Sequence, residues 1–269
     1  MKIATWNINS VRLRIDSVIR FLKEEGPDVL CLQEIKCRED QFPAKKLANA
    51  GYEHQAVSGQ VGYHGVAIVS RLPLEDVEKR RFCGKDDARH VAVTLPGDIR
   101  LHNFYVPAGG DEPDPAINEK FAHKLDFMKD MRRWFDPDGA QVKSKQILVG
   151  DLNIAPREHD VWSHKQLLKV VSHTPVEVDL MNEAIASGQW TDVARELVPE
   201  PENLYTWWSY RAKDWRASNR GRRLDHIWVS PPLKKAALVG GREAFAIHDR
   251  CRDWTKPSDH APVTLKFGR

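Results

Sequence analysis

Long apolar runs are missing from this 269-residue chain: residues 29–32 and 147–149 are typical, and each run is broken within a few positions. A membrane-spanning helix takes ~20 mostly apolar residues, so none is expected. The N-terminal stretch Met1-Lys2-Ile3-Ala4-Thr5-Trp6-Asn7 is too polar for the apolar core of a secretory leader. Cysteine is scarce. The 4 present, Cys31, Cys37, Cys83 and Cys251, show no CxxC spacing, which argues against a zinc cage or a disulfide framework. Cys31 reads as a small core residue. Glycine and proline, 16 of each, are too few for a collagen-like or low-complexity chain. These absences point to a cytoplasmic protein of a reducing compartment. An excess of one charge is lacking too: 41 Lys+Arg against 38 Asp+Glu leave +3. The placement of charge therefore matters more than its sum. What is present, 41% hydrophobic and 29% charged residues, suits an ordinary core in one large domain.

Short apolar runs alternate with amphipathic stretches. Lys2–Asn7 reads as a strand, followed by a helix with Ile15, Val18, Ile19 and Leu22 on its apolar face, ended by Gly26-Pro27-Asp28. Val29–Gln33 reads as a strand buried on both sides, and a short helix through residues 47–50 stops at Gly51. Strands are expected at Val66–Ser70, 91–95 and 100–105, where turn-rich links suggest antiparallel pairing. Further strands are expected at 146–150, 224–229 and 261–267, and helices at 117–135 and 178–187. Asp136-Pro137-Asp138-Gly139 and Ser230-Pro231-Pro232 read as loops. Strands come in runs between helices, which favours a mixed α/β sandwich over a βα barrel. A faint echo between Thr5-Trp6-Asn7-Ile8-Asn9 and Gly150-Asp151-Leu152-Asn153-Ile154 hints at two related halves.

Polar residues sit at the ends of these strands: Asn7, Gln33-Glu34, Asp151-Leu152-Asn153, Asp225 and Ser258-Asp259-His260. Taken singly, each is an ordinary turn or cap residue. Carboxylates beside buried strands are costly unless they are paired, hydrogen-bonded or bound to a metal. Five such sites ending different strands would meet at one rim, where Glu34, Asp151, Asn153 and Asp259 offer hard oxygens suited to Mg²⁺ or Mn²⁺. Tyr105, also at a strand end, could present its hydroxyl to a phosphate there.

Residues 205–223 hold 3 of the 9 tryptophans, 2 of the 5 tyrosines and 6 basic residues against 1 acid. Aromatic faces stack on bases or sugars while Arg and Lys meet phosphates. One of Trp207 and Trp208 is expected in the core and the other facing a ligand. Lys79, Arg80, Arg81 and Arg89 either extend the basic strip or form a solvated face.

Six segments carry a resemblance: Trp6-Asn7-Ile8-Asn9, Leu32-Gln33-Glu34-Ile35-Lys36, Tyr105-Val106-Pro107, Gly150-Asp151-Leu152-Asn153-Ile154-Ala155-Pro156, Asn219-Arg220-Gly221-Arg222-Arg223-Leu224-Asp225 and Ser258-Asp259-His260-Ala261-Pro262-Val263. In this order, and over nearly the whole chain, they resemble the exonuclease III family of abasic-site endonucleases. The wider superfamily, with deoxyribonuclease I and inositol polyphosphate 5-phosphatases, shares the Asn, Glu, Asp-x-Asn and Ser-Asp-His parts. It lacks the segment Trp207-Trp208-Ser209-Tyr210-Arg211.

The resemblance implies a four-layered α/β sandwich, two mixed β-sheets face to face with helices outside, as a single catalytic domain over residues 1–269. It implies a Mg²⁺-dependent phosphodiesterase, with Mn²⁺ able to substitute. Such an enzyme incises duplex DNA 5′ to abasic sites, leaves a 3′-hydroxyl and trims 3′ ends. The implied metal set is Glu34 as principal ligand, Asn7 and Asp259 near the same ion, and Asp151, Asn153 and His260 beside them. Asp151 is the favoured activator of water, and Asn153 stabilises the charged transition state. His260, oriented by Asp225, contacts the phosphate or acts as base; Tyr105 acts near the phosphate. The implied DNA-binding residues are Arg89, Trp207, Arg211, Arg220, Arg222 and Leu224, with Trp207 and Leu224 walling a pocket for the abasic sugar. The implied partner is double-stranded DNA with abasic sites or blocked 3′ ends, bound by a monomer with no obligate protein partner.

Three positions depart from the family pattern. Arg222 stands where a bulky apolar residue is common, Ala108 where an amide follows Tyr-x-Pro, and Asn9 where some relatives have Asp. The alternatives are a phosphatase acting on phosphoinositides or a sphingolipid, and a nucleic-acid-binding protein without catalysis. The aromatic–basic segment speaks against the first, and the intact set Glu34, Asp151, Asn153, Asp259 and His260 against the second.

Overall fold

Every residue of β1 (Lys2–Asn7) after Lys2 is buried, as is all of β2 (Val29–Gln33). The cause is a sheet covered on both faces. Ile3, Val29 and Cys31 point into one core while Ala4, Trp6, Leu30 and Leu32 point into another, the alternation inherent in a strand. The computed structural model describes residues 1–135 and 143–268; the loop expected at Asp136-Pro137-Asp138-Gly139 lies outside them.

In the first sheet β1 runs parallel to β2 and antiparallel to β14 (Val263–Lys266). With β3 (His54–Ser58), β4 (Val66–Ser70) and β13 (Phe245–Ile247) it forms six strands in the order β13-β14-β1-β2-β4-β3. The second sheet has β5 (Glu75–Glu78), β6 (His90–Leu95), β7 (Ile99–Tyr105), β8 (Lys145–Asp151), β9 (Thr191–Asp192) and β12 (Asp225–Val229), in the order β5-β6-β7-β8-β12-β9. A separate ribbon pairs β10 (Trp207–Trp208) with β11 (Gly221–Arg222).

The two sheets are laid out alike. In each, a central strand (β1 or β8) has a parallel neighbour on one side and an antiparallel one on the other, and the outer pairs run in matching senses. β1 and β8 are the strands that lead into Asn7 and Asp151, so the faint sequence echo coincides with a topological repeat.

The inner faces meet through Val91, Val93, Leu101, Ile147, Val149 and Ile227. Helix Ile15–Glu25 covers the outer face of the first sheet with Val18, Phe21 and Leu22. Helices Glu119–Trp134 and Pro175–Ser187 cover the second with Phe127, Met128, Met131 and Met181. Helix, sheet, sheet and helix make the four-layered sandwich. Each fully buried Leu, Ile or Phe in it contributes roughly 1.5–3 kcal/mol.

Four local expectations need correction. Ser230-Pro231-Pro232 is not a loop but the start of a helix, Pro231–Leu238, whose first turn accepts two prolines because their missing N–H groups would have no partner within the helix. β4 does not pair with the strands at 91–95 and 100–105; it lies in the other sheet, between β2 and β3. The third long helix starts at Glu119 and not at 117, because the Asn118 side chain accepts the backbone N–H groups of Lys120 and Phe121 and leaves Ile117 outside, 75% exposed. The last strand begins at Val263, since Pro262 before it has no N–H for the ladder.

The second sheet buries three neutral histidines. The Arg80 amide donates to His90 Nδ1 (3.4 Å), His90 lies 3.2 Å from His102 Nδ1, and His102 Nε2 lies 3.1 Å from Gln146 Oε1. His226 gives one ring nitrogen to the Ile154 carbonyl (2.8 Å) and meets the Arg223 guanidinium with the other (3.0 Å). A second ring proton would face a donor or a cation in each case. Burial depresses all three, His102 to about 3 from 6.5. The unfolded chain therefore binds more protons below about pH 6.5, so stability present above that pH is lost as the pH falls toward 3. Each histidine contributes about 1.4 kcal/mol per pH unit in that window. Urea unfolding at about pH 7 and about pH 5 should show a loss of several kcal/mol; a flat profile would contradict neutral burial.

Candidate active site

β1, β2, β7 and β8 all end at the same rim of the sandwich, where the antiparallel β12 begins and β14 approaches. Asn7, Glu34, Tyr105, Asp151, Asn153, Asp225, Asp259 and His260 meet there. Gly150 sets the approach. Its φ is +145°, and a Cβ added to it would lie 1.9 Å from the Phe104 carbonyl oxygen on β7, so only glycine lets β8 deliver Asp151 beside Tyr105. Glu34 and Asn153 follow their strands with φ of 49° and 54°, a strained conformation that turns each side chain back over the rim. The turn at Glu34 is held by the Ser10 amide, which donates to its carbonyl at 2.7 Å.

The Asn7 amide group donates to Glu34 Oε1 (2.9 Å) and to Asp151 Oδ2 (2.8 Å), while its oxygen accepts the Asn9 amide (3.0 Å). Lys36 Nζ lies 2.8 Å from Glu34 Oε2. Asn9 donates to Asp259 Oδ1 (3.0 Å) and the Trp207 indole to Asp259 Oδ2 (2.9 Å). His260 Nδ1 is 2.8 Å from Asp225 Oδ2, and its Nε2 is 3.6 Å from Asp151 Oδ2. Asp151 Oδ1 accepts the Asn153 amide at 3.0 Å, and Asn153 Nδ2 donates to the Val106 carbonyl at 2.9 Å. Asn7 thus bridges two carboxylates through its nitrogen, while its oxygen, which has two lone pairs, accepts the backbone amide of Asn9. Asp151, Asp225 and His260 could together hold an ion. His260, however, has one ring nitrogen on Asp225 and the other facing Asp151.

The charges do not balance. Burial pushes Asp151 up to about 7, helped by the Asp225 and Glu34 carboxylates and opposed by His260 and Asn7. Burial would drive His260 down, but Asp225 and Asp151 outweigh it and raise it to about 10, so the ring stays protonated. Glu34 and Asp259 remain ionised below the usual range: burial opposes this, and Lys36 for Glu34, and His260 with the Trp207 hydrogen bond for Asp259, outweigh it. Burial, with Glu34 and Asp151 beside it, holds the Tyr105 phenol well above its ordinary value. Four acids therefore face one lysine and one imidazolium. One of them, Asp225, also has its Oδ1 buried without a hydrogen-bond partner. That surplus of hard, negatively charged oxygen suits a divalent cation such as Mg²⁺ or Mn²⁺.

A cavity of about 870 Å³ opens beside the cluster. Its wall includes Trp162, Trp207, Arg211, Arg220, Arg222 and Leu224. Trp207 faces the cavity half-buried, while Trp208 is buried with its indole on Asn219 Oδ1 at 3.0 Å. The ribbon of β10 and β11 puts Arg222 directly across from Trp207. Arg89 is placed elsewhere than expected. It is buried, stacked 4.9 Å from the Tyr105 ring with Nη1 on the Tyr105 carbonyl (3.3 Å), and supports Tyr105 from below instead of presenting a free cation to DNA. Lys79 pairs with Glu39 (2.7 Å), Arg81 pairs with Asp86 (2.6 Å) and Arg80 lies on Trp134, so the solvated-face reading fits these three.

Sequence reasoning missed several participants. Lys36 lies next to Glu34 but drew no notice as its counter-ion. Lys124 shares the apolar face of its helix with Phe121 and Met128, three residues before and four after, so a buried lysine was signalled there. Its ammonium pairs with buried Glu177 and donates to the carbonyls of Asn153 (2.8 Å) and Ala108 (3.2 Å). Trp162 and Ser172 at the cavity gave no local signal.

Residues 4–260 match the model of the Endonuclease/Exonuclease/phosphatase family. Exodeoxyribonuclease III of Haemophilus influenzae is 31% identical, covering 99% of this chain and 100% of that protein. An AP endonuclease from Archaeoglobus fulgidus superposes with a TM-score of 0.89 at 33% identity, covering 99% of both chains. A 3′ phosphatase, NExo from Neisseria, solved with a product DNA hairpin, also gives 0.89 at 33% identity over 100% of both chains. With matches that run end to end on sequence and on structure, this chain belongs to the endonuclease/exonuclease/phosphatase family, in its exonuclease III branch.

Proposed function

We propose that the chain is a DNA-repair phosphodiesterase that incises duplex DNA 5′ to abasic sites and removes blocking groups from 3′ ends. The observation that carries this is the convergence of Glu34, Asp151, Asp259 and the Asp225–His260 pair beside a wall of tryptophan and arginine. The acidic cluster supplies hydrolysis, and the wall suits a nucleic acid better than an inositol phosphate. Glu34 and Asp259, with Asp151 at the edge, would hold a divalent cation, Mg²⁺ or in its place Mn²⁺. Such an ion would neutralise charge on the scissile phosphate.

The remaining steps belong to the side chains. Asp151, buried and fixed by Asn7 and Asn153, accepts a proton from the attacking water; a carboxyl group tuned near neutrality is matched to that task. Imidazolium His260, locked by Asp225, stabilises the charge that builds on the phosphate oxygens. Tyr105 keeps its proton and can donate it to the same oxygens or to the leaving 3′ oxygen. The cavity beside them receives the group on the far side of the scissile bond.

A duplex with a single abasic analogue, incubated with Mg²⁺, should be nicked 5′ to the analogue to leave a 3′-hydroxyl. Glu34→Ala should be slower by about a thousandfold. Cleavage by the natural chain no faster than by Glu34→Ala would sink the proposal, and faster release of phosphate from an inositol phosphate would favour the phosphatase reading. Mg²⁺ should also raise the melting temperature of the natural chain and leave Glu34→Ala unchanged, a test independent of turnover. The substrate contact is proposed for a monomer. Among the described residues no helix is long and apolar enough to cross a membrane.

A further inference from the structure

Arg14 lies in the turn between β1 and helix Ile15–Glu25 and is buried. Among the described residues its guanidinium meets no carboxylate and donates to four neutral acceptors. Nη1 reaches the carbonyls of Ile8 (3.4 Å) and Asn9, Nε the Lys256 carbonyl (2.8 Å), and Nη2 the Tyr210 hydroxyl (3.1 Å). A planar five-donor fork can serve all four at once, which the point charge of a lysine cannot. The acceptors belong to three segments far apart in sequence.

One of these segments leads to Asp259. The carbonyls of Lys256, Pro257 and Ser258 are each held by a different side chain: Arg14, the Tyr210 hydroxyl (2.8 Å) and Arg252. The Arg252 guanidinium lies over the Tyr210 ring, 5.4 Å from its centroid. Tyr210 is therefore gripped at the ring by one arginine and at the hydroxyl by the other. A second segment faces Asp259 from across the rim. Asn9 and Ser10 have φ of 47° and 87°, a costly conformation for residues with a Cβ, and Arg14 holds the Asn9 carbonyl within that turn. So held, the Asn9 side chain donates to Asp259 Oδ1 at 3.0 Å, while the Trp207 indole donates to Oδ2.

We propose that Arg14 and Tyr210 form a clasp that positions Asp259, fixing its carboxylate in the orientation in which it takes a divalent cation. The inference rests on the assignment of Asp259 to the cation under the phosphodiesterase reading, and adds the residues that preorganise it. Arg14 and Tyr210 are positioning residues: one pins the backbone on both sides of Asp259, the other ties that backbone to the aromatic segment. Partners that orient a ligand in this way commonly set metal affinity by about ten- to a hundredfold.

The test titrates the DNA-free chain with Mn²⁺ by calorimetry and measures kcat and half-saturating Mg²⁺ on a duplex with one abasic analogue. Arg14→Met should bind Mn²⁺ about tenfold more weakly and need about tenfold more Mg²⁺, with kcat at saturating Mg²⁺ within about threefold of the natural value. Arg14→Lys should recover part of the affinity. Tyr210→Phe removes only the hydroxyl of a half-exposed ring, so it reads the clasp whether or not Arg14→Met folds. It should weaken Mn²⁺ binding about three- to tenfold, the scale of a neutral hydrogen bond. With Asp259→Asn already in place, Arg14→Met should cost no further affinity. Natural Mn²⁺ affinity in Tyr210→Phe would overturn the inference. So would an Arg14→Met chain that melts lower yet binds Mn²⁺ like the natural one, the mark of a purely structural arginine, or an equal loss of affinity with and without Asp259. Mn²⁺ bound as tightly after Asp259→Asn as before it would instead overturn the assignment of Asp259 to the cation, and this inference with it.

Discussion

Asp151→Asn should lower the rate of DNA cleavage by about a thousandfold or more without loss of stability. Asp151 is 1% exposed and uses both oxygens as acceptors, Oδ2 for Asn7 and Oδ1 for the Asn153 amide. An asparagine has one acceptor oxygen, so its NH₂ must face either the Asn7 NH₂ or the Asn153 N–H. It also cannot take a proton from water. Stability should hold, because the cost of that donor–donor contact is offset by removal of a buried carboxylate that is raised to about 7 by burial and by Asp225 and Glu34. The same change removes one of the three acids that raise His260, so the imidazole should titrate at a lower pH by NMR. Cleavage within tenfold of the natural rate would exclude Asp151 as the proton acceptor and leave Tyr105 or His260. Equilibrium binding of duplex DNA should survive, because the aromatic and basic wall is untouched.

The layered fold was largely legible because the inner strands face two cores. Runs such as residues 29–32 are apolar at every position, and a strand buried on both sides reads as such without knowledge of its partner. Pairing was less legible. Val66–Ser70 and the strand at 91–95 are close in sequence and alike in composition, yet they lie in different sheets. Nothing within a strand records which edge it joins. In the site, residues at strand ends could be found because strand ends are local features. Arg89 was misplaced for the opposite reason. An arginine three residues from exposed charges reads as surface, and only the tertiary structure shows it packed on Tyr105. Asn7 was identified, but which of its amide atoms faces the carboxylates depends on Asn9, Glu34 and Asp151 together. The basic strip divided along similar lines: Arg222 is held against Trp207 by a two-stranded ribbon too short for any periodicity to reveal.

Lys124→Met should destabilise the chain by about 3–5 kcal/mol, since it leaves the Glu177 carboxylate buried without its counter-charge. Both side chains are 0% exposed. Glu177 also accepts the Ser172 amide (2.9 Å), the Thr174 amide (3.1 Å) and the Thr174 hydroxyl (2.6 Å). The lysine ammonium holds the carbonyls of Asn153 and Ala108 from the other side. One buried ion pair thus ties together three segments that line the cavity: the loop after Tyr105, the loop after Asp151 and the turn at Ser172. For a chain of this size the loss amounts to a fall of about 10 °C in melting temperature. With the Asn153 carbonyl released, kcat should fall more than KM rises, as expected of a positioning group and not of a DNA contact. Adding Glu177→Gln should recover most of the stability, because a neutral amide keeps an oxygen for the Ser172 and Thr174 donors without burying a charge. It should not recover kcat, because nothing then holds the Asn153 carbonyl. A Lys124→Met chain as stable and as active as the natural one would show that the Glu177 cap alone fixes the cavity floor.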